Sequence, residues 1–490
     1  MKVLFATSEV HPLIKTGGLA DVSAGLPRAL KNLRNDVRII LPAYREVLQK
    51  VEKKKTVATI SVAGARDPVQ ILETRLPATT VKLYLVHAPW CFDRTGGPYV
   101  DSKGLDWPDN AQRFTLFARV AAILALNQVG LDWQPDVVHC NDWQTGLIPA
   151  LLSQSSKRPA TVFTIHNLAY HGLTDWQTFQ QLELPAEWWS LHALEFHGDM
   201  SFIKGGLVFS DWITTVSPTY AKEIRTKQFG CGLERLLEHR KHRLTGILNG
   251  VDYKTWSPGK DPLIPQPYTA RNMQLKTQNK HALQEHFGLT VDTQIPVFAH
   301  VGRLEEQKGI DFLLAALPKL QQRNMQIVIV GTGQSRLEEE LSHAAARHPE
   351  KLGIHIGYDE NLAHLLEAGA DTFLMPSRFE PCGLNQMYSL RYGTLPIVRR
   401  TGGLADTVVD TTDTTLADGT ATGFVFRDAR SQALLLAIER ALALYKQPNL
   451  WHKVMRVAMK QDFSWGRSAQ RYLELYQGVL QEQPGLRISA

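Results

Sequence analysis

The chain has 490 residues, 44% apolar and 21% charged, which is the composition of a folded globular protein and excludes a disordered or fibrous one. The length excludes a single small module and fits two or three α/β domains. Lys and Arg exceed Asp and Glu by 54 to 48, and the excess is spread along the chain. This pattern favours a small anionic ligand over nucleic acid, which selects basic residues clustered on one face.

The remaining composition bears on the setting of the protein. The four cysteines are far apart with no CxxC pair, so we expect neither a disulfide framework nor a zinc site. No apolar stretch reaches about 18 residues, and the N-terminal run lacks the pattern of a signal peptide. We therefore expect a soluble, intracellular protein.

Short apolar runs rich in β-branched residues recur along the chain and predict strands. In the first half they are Lys2–Ser8, Asp36–Leu41, Val69–Leu76, Val81–His87, Asp136–Cys140, Thr161–Ile165, Trp212–Val216 and Leu244–Leu248. In the second half they are Pro296–Val301, Gln326–Val330, Gly353–Ile356, Thr372–Met375, Pro396–Val398 and Gly423–Phe426. Many are apolar on both faces, which is typical of parallel strands covered by helices on each side.

Longer stretches, in which apolar residues recur with helical spacing, separate many of these runs. Phe114, Phe117, Val120 and Leu124 recur at intervals of three and four and predict a helix that starts near Asp109. The same spacing predicts a helix after Asp311, and two helices, Trp451–Met459 and Trp465–Leu480, close the chain. Alternating strands and helices indicate an α/β fold of doubly wound parallel sheets.

A segment rich in Gly and Pro, 251–267, interrupts this alternation and predicts an interdomain linker. It separates an N-terminal Rossmann-like domain, 1–250, from a C-terminal one, 268–464, and we expect these two to face each other across a deep cleft. Residues 465–490 form a final helical segment, for which packing back on the first domain is one option.

One hexapeptide, Thr-Gly-Gly-Leu-Ala-Asp, occurs twice, at Thr16–Asp21 and Thr401–Asp406. Each copy follows a predicted strand and precedes a predicted helix. Because Gly-Gly lets backbone amides approach an anion, and a helix N-terminus favours negative charge, we interpret both copies as ligand-binding turns. Lys15 adds a positive charge to the first copy.

Polar residues that directly follow strands are the candidates for a site, because ligands of open α/β sheets bind beyond the carboxyl ends of the strands. In the first half Asp142 and His166 meet this condition, whereas His139 precedes its loop and is interpreted as structural. Tyr99 and Trp143 could offer flat apolar surfaces to sugar rings, although core packing is the alternative for both. No close set of metal ligands accompanies these residues.

In the second half, Arg303 and Lys308 follow a strand and precede a helix, an arrangement that can hold a diphosphate. Glu380 follows another strand, and Pro381 looks like the first residue of a helix that runs to Arg391. We therefore expect the helix N-terminus to stabilise the Glu380 carboxylate. For Cys382 a buried apolar role is the more frequent one.

Taken together, several motifs resemble the bacterial glycogen synthase and plant starch synthase family from end to end. They are Lys15–Asp21, Asn141–Trp143, His166–Asn167, Asn249–Asp252, Gly302–Arg303, Lys308–Gly309, Glu380–Leu384 and Thr401–Gly403. The resemblance implies the two-Rossmann glycosyltransferase architecture called GT-B. It also implies transfer of glucose from ADP-glucose to the non-reducing end of an α-1,4-glucan, with retention of anomeric configuration and without a metal or other cofactor.

The resemblance carries roles over to matching positions. Catalytic roles are implied for Glu380, Arg303, Lys308, His166 and Asp142. Donor binding is implied for Lys15, Gly18, Asp21, Asn249, Tyr358, Cys382, Gly383, Leu384, Asn385, Thr401, Gly402 and Gly403. Acceptor binding is assigned to Tyr99 and Trp143. At Asn385 the family often has Thr, which puts one phosphate contact in doubt but not the function.

Two other functions remain open from the residues alone. One is a GT-B glycosyltransferase that uses a UDP-sugar, and the other is a catalytically silent glucan-binding regulator. The expected partners are ADP-glucose and an α-1,4-glucan, with no nucleic acid and no membrane, and the oligomeric state is open. The resemblance implies a cytoplasmic location, or the plastid stroma for a processed plant protein.

Overall fold

The computed structural model describes residues 1–482, and the chain divides into two compact units. The first unit comprises Met1–Gly250 and the chain from Trp465 onward, and the second comprises Val251–Ser464. Within residues 1–482, no helix combines the length and the apolar character needed to cross a bilayer.

Among the described residues, the first unit contains twelve strands and, up to Gly250, nine α-helices. The strands are β1 (Lys2–Ala6), β2 (Asp36–Pro42), β3 (Lys55–Ile60), β4 (Val69–Arg75), β5 (Lys82–His87), β6 (Val137–Asn141), β7 (Ala160–Ile165), β8 (Leu173–Thr174), β9 (Glu195–Phe196), β10 (Asp199–Ser201), β11 (Trp212–Thr215) and β12 (Leu244–Gly246). The helices are α1 (Gly18–Asn32), α2 (Arg45–Lys50), α3 (Pro89–Phe92), α4 (Asn110–Ala125), α5 (Leu147–Ser153), α6 (Trp176–Gln181), α7 (Phe202–Phe209), α8 (Pro218–Glu223) and α9 (Glu234–His239).

Nine of these strands form one sheet in the order β12-β11-β7-β6-β1-β2-β5-β4-β3. All neighbours from β12 to β5 are parallel, and the central strands β6 and β7 are buried along their whole length. The predicted parallel sheet is present and has an antiparallel edge, where β4 runs antiparallel to both β5 and β3. Antiparallel strands tolerate a solvated face, and no residue of β3 is fully buried. A small antiparallel sheet, β8-β10-β9, stands apart.

The second unit is a wholly parallel sheet with helices. Its strands are β13 (Val297–Val301), β14 (Gln326–Gly331), β15 (Leu352–Ile356), β16 (Thr372–Met375), β17 (Leu395–Arg399) and β18 (Phe424–Phe426). Its helices are α10 (Lys276–His286), α11 (Ile310–Leu320), α12 (Ser335–Arg347), α13 (Glu360–Gly369), α14 (Asn385–Tyr392), α15 (Gly402–Thr407), α16 (Asp413–Asp418), α17 (Ser431–Tyr445) and α18 (Pro448–Met459). The strand order is β15-β14-β13-β16-β17-β18.

Residues 251–267 are not a free linker but part of the second unit. The buried Asp261 carboxylate accepts hydrogen bonds from Tyr392 at 2.5 Å and from His364 at 2.7 Å. The Trp256 ring stacks 3.8 Å from the His364 ring and 4.0 Å from the Tyr388 ring. The Gly and Pro content predicted a connection, but apolar and hydrogen-bonded side chains within the segment bind it to the core of this unit.

The final helix, α19 (Trp465–Gln481), packs against α1 of the first unit. Its Tyr476 hydroxyl lies 2.7 Å from His139 Nδ1, and Thr164 Oγ1 lies 2.5 Å from the other ring nitrogen. Burial lowers the pKa of His139 to about 3, so the ring is neutral at physiological pH. His139 thus links the helix to the sheet as a buried structural residue.

Each large sheet has a topological switch point, a position from which successive connections run to opposite sides of the sheet. In the first unit β1 lies between β2 and β6, and in the second β13 lies between β14 and β16. Loops that leave the carboxyl ends of the two strands beside such a point diverge and leave a crevice for a ligand. We therefore expect functional residues in the loops after β1 and β6 and in the loops after β13 and β16.

Candidate functional site

The second unit brings together a cation and a carboxylate at its switch point. Lys308, in the loop after β13, places Nζ 2.7 Å from Oε2 of Glu380, in the loop after β16. Ser377 Oγ donates to the same carboxylate oxygen at 2.9 Å. The Glu380 side chain is 8% exposed and that of Lys308 is 20% exposed. Two residues 72 positions apart in sequence thus form a largely buried ion pair.

A glycine makes this approach possible. Gly309 follows Lys308 with a φ of +72°, and a Cβ at this position would lie 2.2 Å from the carbonyl oxygen of Pro376. Any larger residue would therefore push the loop after β13 away from the loop after β16. The chain needs glycine here for Lys308 to reach Glu380.

The predicted helix start at Pro381 is wrong, because α14 begins at Asn385. Gly383 intervenes with a φ of +72°, a left-handed conformation that ends any helix begun at Pro381. The predicted stop is correct, since Gly393 caps the helix with a φ of +70°. The N-terminus of α14 therefore does not directly follow Glu380, and Lys308 and Ser377 hydrogen-bond its carboxylate.

The second copy of the hexapeptide packs against the same loop. The Gly403 amide donates to the carbonyl oxygens of Glu380 at 3.2 Å and Pro381 at 3.1 Å. Thr401 and Cys382 are buried beside this turn, and α15 begins at Gly402. The structure thus brings the predicted donor residues Cys382–Leu384 and Thr401–Gly403 together around Glu380.

Three other predicted residues of this unit, Arg303, Asn385 and Tyr358, differ in their contacts and positions. Arg303 follows β13 and donates to Glu305 Oε1 at 3.0 Å. Asn385 donates through Nδ2 to the carbonyl oxygen of Val301 at 2.8 Å, which ties α14 to the end of β13. Tyr358 is 73% exposed and follows β15, the edge strand that β14 separates from β13.

Sequence reasoning missed His300, which is buried at the end of β13. Its Nδ1 lies 2.8 Å from the carbonyl oxygen of Leu374, and burial lowers the pKa of the ring to about 4. The neutral ring therefore carries its proton on Nδ1 and adds no charge beside Lys308 and Glu380. Its only sequence signal is a histidine inside an apolar strand.

In the first unit the loops after β6 and β7 meet at Asp142. This buried residue has a φ of +57°, and Oδ1 accepts from the backbone amides of His166 at 2.8 Å and Asn167 at 3.4 Å. Burial raises the pKa of the Asp142 carboxyl to about 7. A backbone held in so sparsely populated a conformation is typical of functional sites.

His166 lies beside this carboxylate as a neutral ring. Burial lowers its pKa to about 3, and Nε2 lies 3.0 Å from Asn141 Oδ1. Because the Asn141 amide nitrogen already donates to the carbonyl oxygen of Ala6, its Oδ1 accepts, and the proton of His166 is on Nε2. Nδ1 is consequently the acceptor of this ring.

The first copy of the hexapeptide surrounds a glutamate that the sequence analysis did not single out. The buried Glu9 accepts at Oε2 from the amides of Thr16 at 2.6 Å and Gly17 at 3.3 Å. At Oε1 it accepts from the hydroxyls of Thr16 and Tyr99, each at 2.6 Å. Of the Gly-Gly amides at which we expected an anion, that of Gly17 is thus bonded to a carboxylate of the protein itself.

The remaining predicted residues of the first unit lie in three places. Lys15 and Asp21 form an ion pair of 3.0 Å across the turn that contains Gly18. The Tyr99 and Trp143 rings lie 6.3 Å apart, and Trp143 is half-buried. Asn249 is buried beyond β12, the far edge strand of the sheet.

No triad of His, Cys, Asp or Glu side chains suited to a metal ion occurs in the part of the chain that the structure describes. The positive charges of the second unit's switch point come from side chains, chiefly Lys308 and Arg303. The chemistry available there is binding of an anion and electrostatic stabilisation of developing negative charge.

Both units of the chain are similar to known proteins. Residues 2–239 match the family profile "Starch synthase catalytic domain", and residues 283–456 match "Glycosyl transferases group 1". The chain is 57% identical to the glycogen synthase of Thioalkalivibrio sulfidiphilus, over 98% of this chain and 100% of that one. It is 55% identical to glycogen synthase 1 of Methylococcus capsulatus, over 98% and 97% of the two chains.

A solved structure extends the comparison. The catalytic domain of starch synthase IV from Arabidopsis thaliana, bound to ADP and acarbose, matches with a TM-score of 0.87 at 32% identity, over 98% of this chain and 99% of that one. The predicted GT-B fold and the predicted enzyme class, a glucosyltransferase, are thereby confirmed. Similarity at this level over nearly the whole of each chain shows that the protein belongs to the bacterial glycogen synthase and plant starch synthase family.

Proposed function

We propose that this glucosyltransferase transfers glucose from ADP-glucose to the non-reducing end of an α-1,4-glucan and retains the anomeric configuration. The observation that carries the proposal is the Lys308–Glu380 pair at the switch point of the second unit. A cation held beside a carboxylate at that place suits a nucleotide sugar, whose diphosphate and sugar need opposite kinds of support.

The cations act on the leaving group. Breaking the glycosidic bond of the donor develops negative charge on the diphosphate, so Lys308 and Arg303 stabilise the transition state more than the bound donor. Lys308 acts as a point charge, and the planar guanidinium of Arg303 can hold two phosphate oxygens. Asn385, through the second hydrogen of its amide nitrogen, and residues of the Thr401–Gly403 turn other than the Gly403 amide complete the donor side.

Glu380 supports the sugar rather than attacking it. Its carboxylate is fixed by Lys308 and Ser377, which leaves it as a stationary negative group beside the anomeric centre. A fixed negative charge stabilises the positive charge that develops on the sugar ring. The two-carboxylate arrangement of glycosidases is not part of this proposal.

Most of the assigned residues of the first unit bind uncharged groups in this scheme. Asp142, with a pKa of about 7, and the neutral His166 offer hydrogen bonds to sugar hydroxyls without a fixed positive charge. Asn249 contributes a further amide, while Lys15, with Asp21 and Gly18, meets the donor. Tyr99 and Trp143 offer ring faces to the acceptor glucan.

Adenine as the donor base is supported by one relative. The Arabidopsis starch synthase IV structure contains ADP and acarbose, an adenine nucleotide and an oligosaccharide analogue. We assign Tyr358 to the adenine face because its ring is exposed and follows a strand of the same sheet. Since several relatives are bacterial glycogen synthases, we place the reaction in the cytoplasm.

We propose further that the reaction needs no metal or other cofactor, since side-chain cations take the place of a metal at the diphosphate. The test is glucosyl transfer with and without EDTA, for which we expect the same rate. A loss of activity that added Mg²⁺ restores would contradict this part of the proposal.

The donor is tested by measuring incorporation of glucose into glycogen from ADP-glucose and from UDP-glucose side by side. We expect kcat/KM to favour ADP-glucose by at least about tenfold. The reason is that the ring assigned to the donor base, that of Tyr358, would stack on adenine in one donor and on the smaller uracil in the other. Comparable or better use of UDP-glucose would overturn the donor assignment, and β-linked product detected by NMR would overturn retention.

A further inference from the structure

We propose that Glu9 is a positioning residue for glucosyl transfer, holding the Lys15–Gly18 turn and the Tyr99 hydroxyl with one carboxylate. The proposal rests on the proposed function for the roles of Lys15 and Tyr99. It goes beyond that function in naming the group that fixes both of them.

The two carboxylate oxygens of Glu9 accept different donors, Oε2 backbone amides and Oε1 hydroxyl groups. Oε2 accepts the backbone amides of Thr16 and Gly17, and it therefore fixes the backbone of the turn directly after Lys15. Oε1 accepts two hydroxyls, that of Thr16 within the turn and that of Tyr99, which lies 90 residues along the chain. The carboxylate is thus the common acceptor of two segments assigned to the site.

The surroundings make this arrangement rigid. Glu9 is 3% exposed, so water does not compete for its oxygens. Ser8 Oγ lies 2.7 Å from the Tyr99 hydroxyl, which donates to Glu9, so Ser8 donates to Tyr99 and completes a chain of hydrogen bonds. Burial together with Glu9 raises the pKa of the Tyr99 phenol, which keeps that donor protonated.

A further consequence concerns the anion bound by the turn. The amides of Thr16 and Gly17 are already bonded to Glu9, so they do not bind a phosphate of the donor. Lys15 and the N-terminus of α1 remain for that purpose. Glu9 therefore acts through the residues it holds, and not by touching substrate.

The first test is hydrogen exchange followed by mass spectrometry in Glu9→Ala, Glu9→Gln and the wild type. In Glu9→Ala the amides of the turn lose their acceptor, and we expect their exchange to accelerate at least about tenfold. Glu9→Gln can direct its carbonyl oxygen to the amides and its NH₂ group to the two hydroxyls, which can turn to accept, so we expect near wild-type exchange. Unchanged exchange in folded Glu9→Ala would overturn the proposal.

The second test is steady-state kinetics per folded molecule, with the exposed Glu52→Ala as the matched control. We expect Glu9→Ala to lower kcat at least about thirtyfold and to raise KM for both donor and glucan, with Glu9→Gln within about fivefold of the wild type. A role confined to stability would lower the melting temperature and leave these constants unchanged, which would refute positioning. Equal impairment of the Ala and Gln variants would refute it as well.

A double-mutant cycle tests the link to Tyr99. If Glu9 acts partly through Tyr99, the effect of Glu9→Ala on kcat/KM is smaller in a Tyr99→Phe background than in the wild type. Strictly additive effects would overturn the link. A different preferred donor in the wild type would count against the proposed function only, because hydrogen exchange decides the role of Glu9 without substrate.

Discussion

The Lys308–Glu380 pair gives the strongest prediction. Lys308→Ala and Glu380→Ala each remove a group from the switch point of the second unit, where the pair is 2.7 Å long. A lost transition-state contact raises the barrier by at least about 2.7 kcal/mol, so we expect turnover to fall at least about a hundredfold in each variant. The assay is glucosyl transfer to glycogen at saturating donor and acceptor.

The same changes affect stability. Removing one member of a fully buried pair costs about 3–5 kcal/mol, because the remaining charge has no partner. The Lys308 side chain is 20% exposed and water can solvate part of the charge, so we expect about 1–3 kcal/mol in urea unfolding. Glu380→Ala leaves the more accessible charge behind and should lie at the lower end of this range.

A neutral pair separates catalysis from stability. In Lys308→Met/Glu380→Gln both charges are absent and the shapes are nearly kept, so we expect most of the lost unfolding free energy to return while turnover stays low. Near-normal turnover in both single variants, with folded protein, would refute the site assignment. Recovery of turnover in the double variant would show that the pair serves only the fold.

Three further predictions concern single buried groups. The pKa of the Asp142 carboxyl is about 7 in the folded state and about 3.8 in the unfolded state. As the pH rises from 4 to 7, we therefore expect the wild type to lose up to about 4 kcal/mol of unfolding free energy relative to Asp142→Asn. Equal pH dependence of the two proteins in urea unfolding would contradict this. Tyr476→Phe removes the hydroxyl that lies 2.7 Å from His139, and we expect a loss of about 1–3 kcal/mol in urea unfolding with turnover within about threefold. Cys382→Ser keeps the size of a buried side chain, so turnover should change far less than in the charge variants; complete loss of activity would show that the sulfur has a direct role.

The sheets could be predicted because their signal is local. Central parallel strands are apolar on both faces, and every strand predicted from such a run is present in the structure. The edge strand β3 was missed because no residue of Lys55–Ile60 is fully buried and the run has no clear apolar face. The strands β8–β10 are two or three residues long, too short for any periodicity.

The site could be predicted in part for the same reason. Lys308 and Glu380 each follow a strand, and the switch-point rule places such residues near each other. The start of α14 was misjudged because Pro381 suits the first turn of a helix, whereas the left-handed Gly383 decides where the helix begins. Glu9 was missed because its partners, above all Tyr99, are revealed only by tertiary contacts.

The two switch points carry different charges, and in the proposed function this difference gives the two units different roles. In the first unit the loops after β1 and β6 carry Glu9 and Asp142, and the charge of Glu9 helps burial to raise the pKa of Asp142. In the second unit the corresponding loops carry Lys308 and Glu380 as a pair. In the proposed function the Asp142 carboxyl binds a neutral sugar and Glu9 holds the neighbouring turn, while a lysine beside a carboxylate suits a diphosphate leaving group and the positive sugar that it leaves. In the proposed function, the same fold, used twice, thus supplies residues for both halves of a nucleotide-sugar reaction.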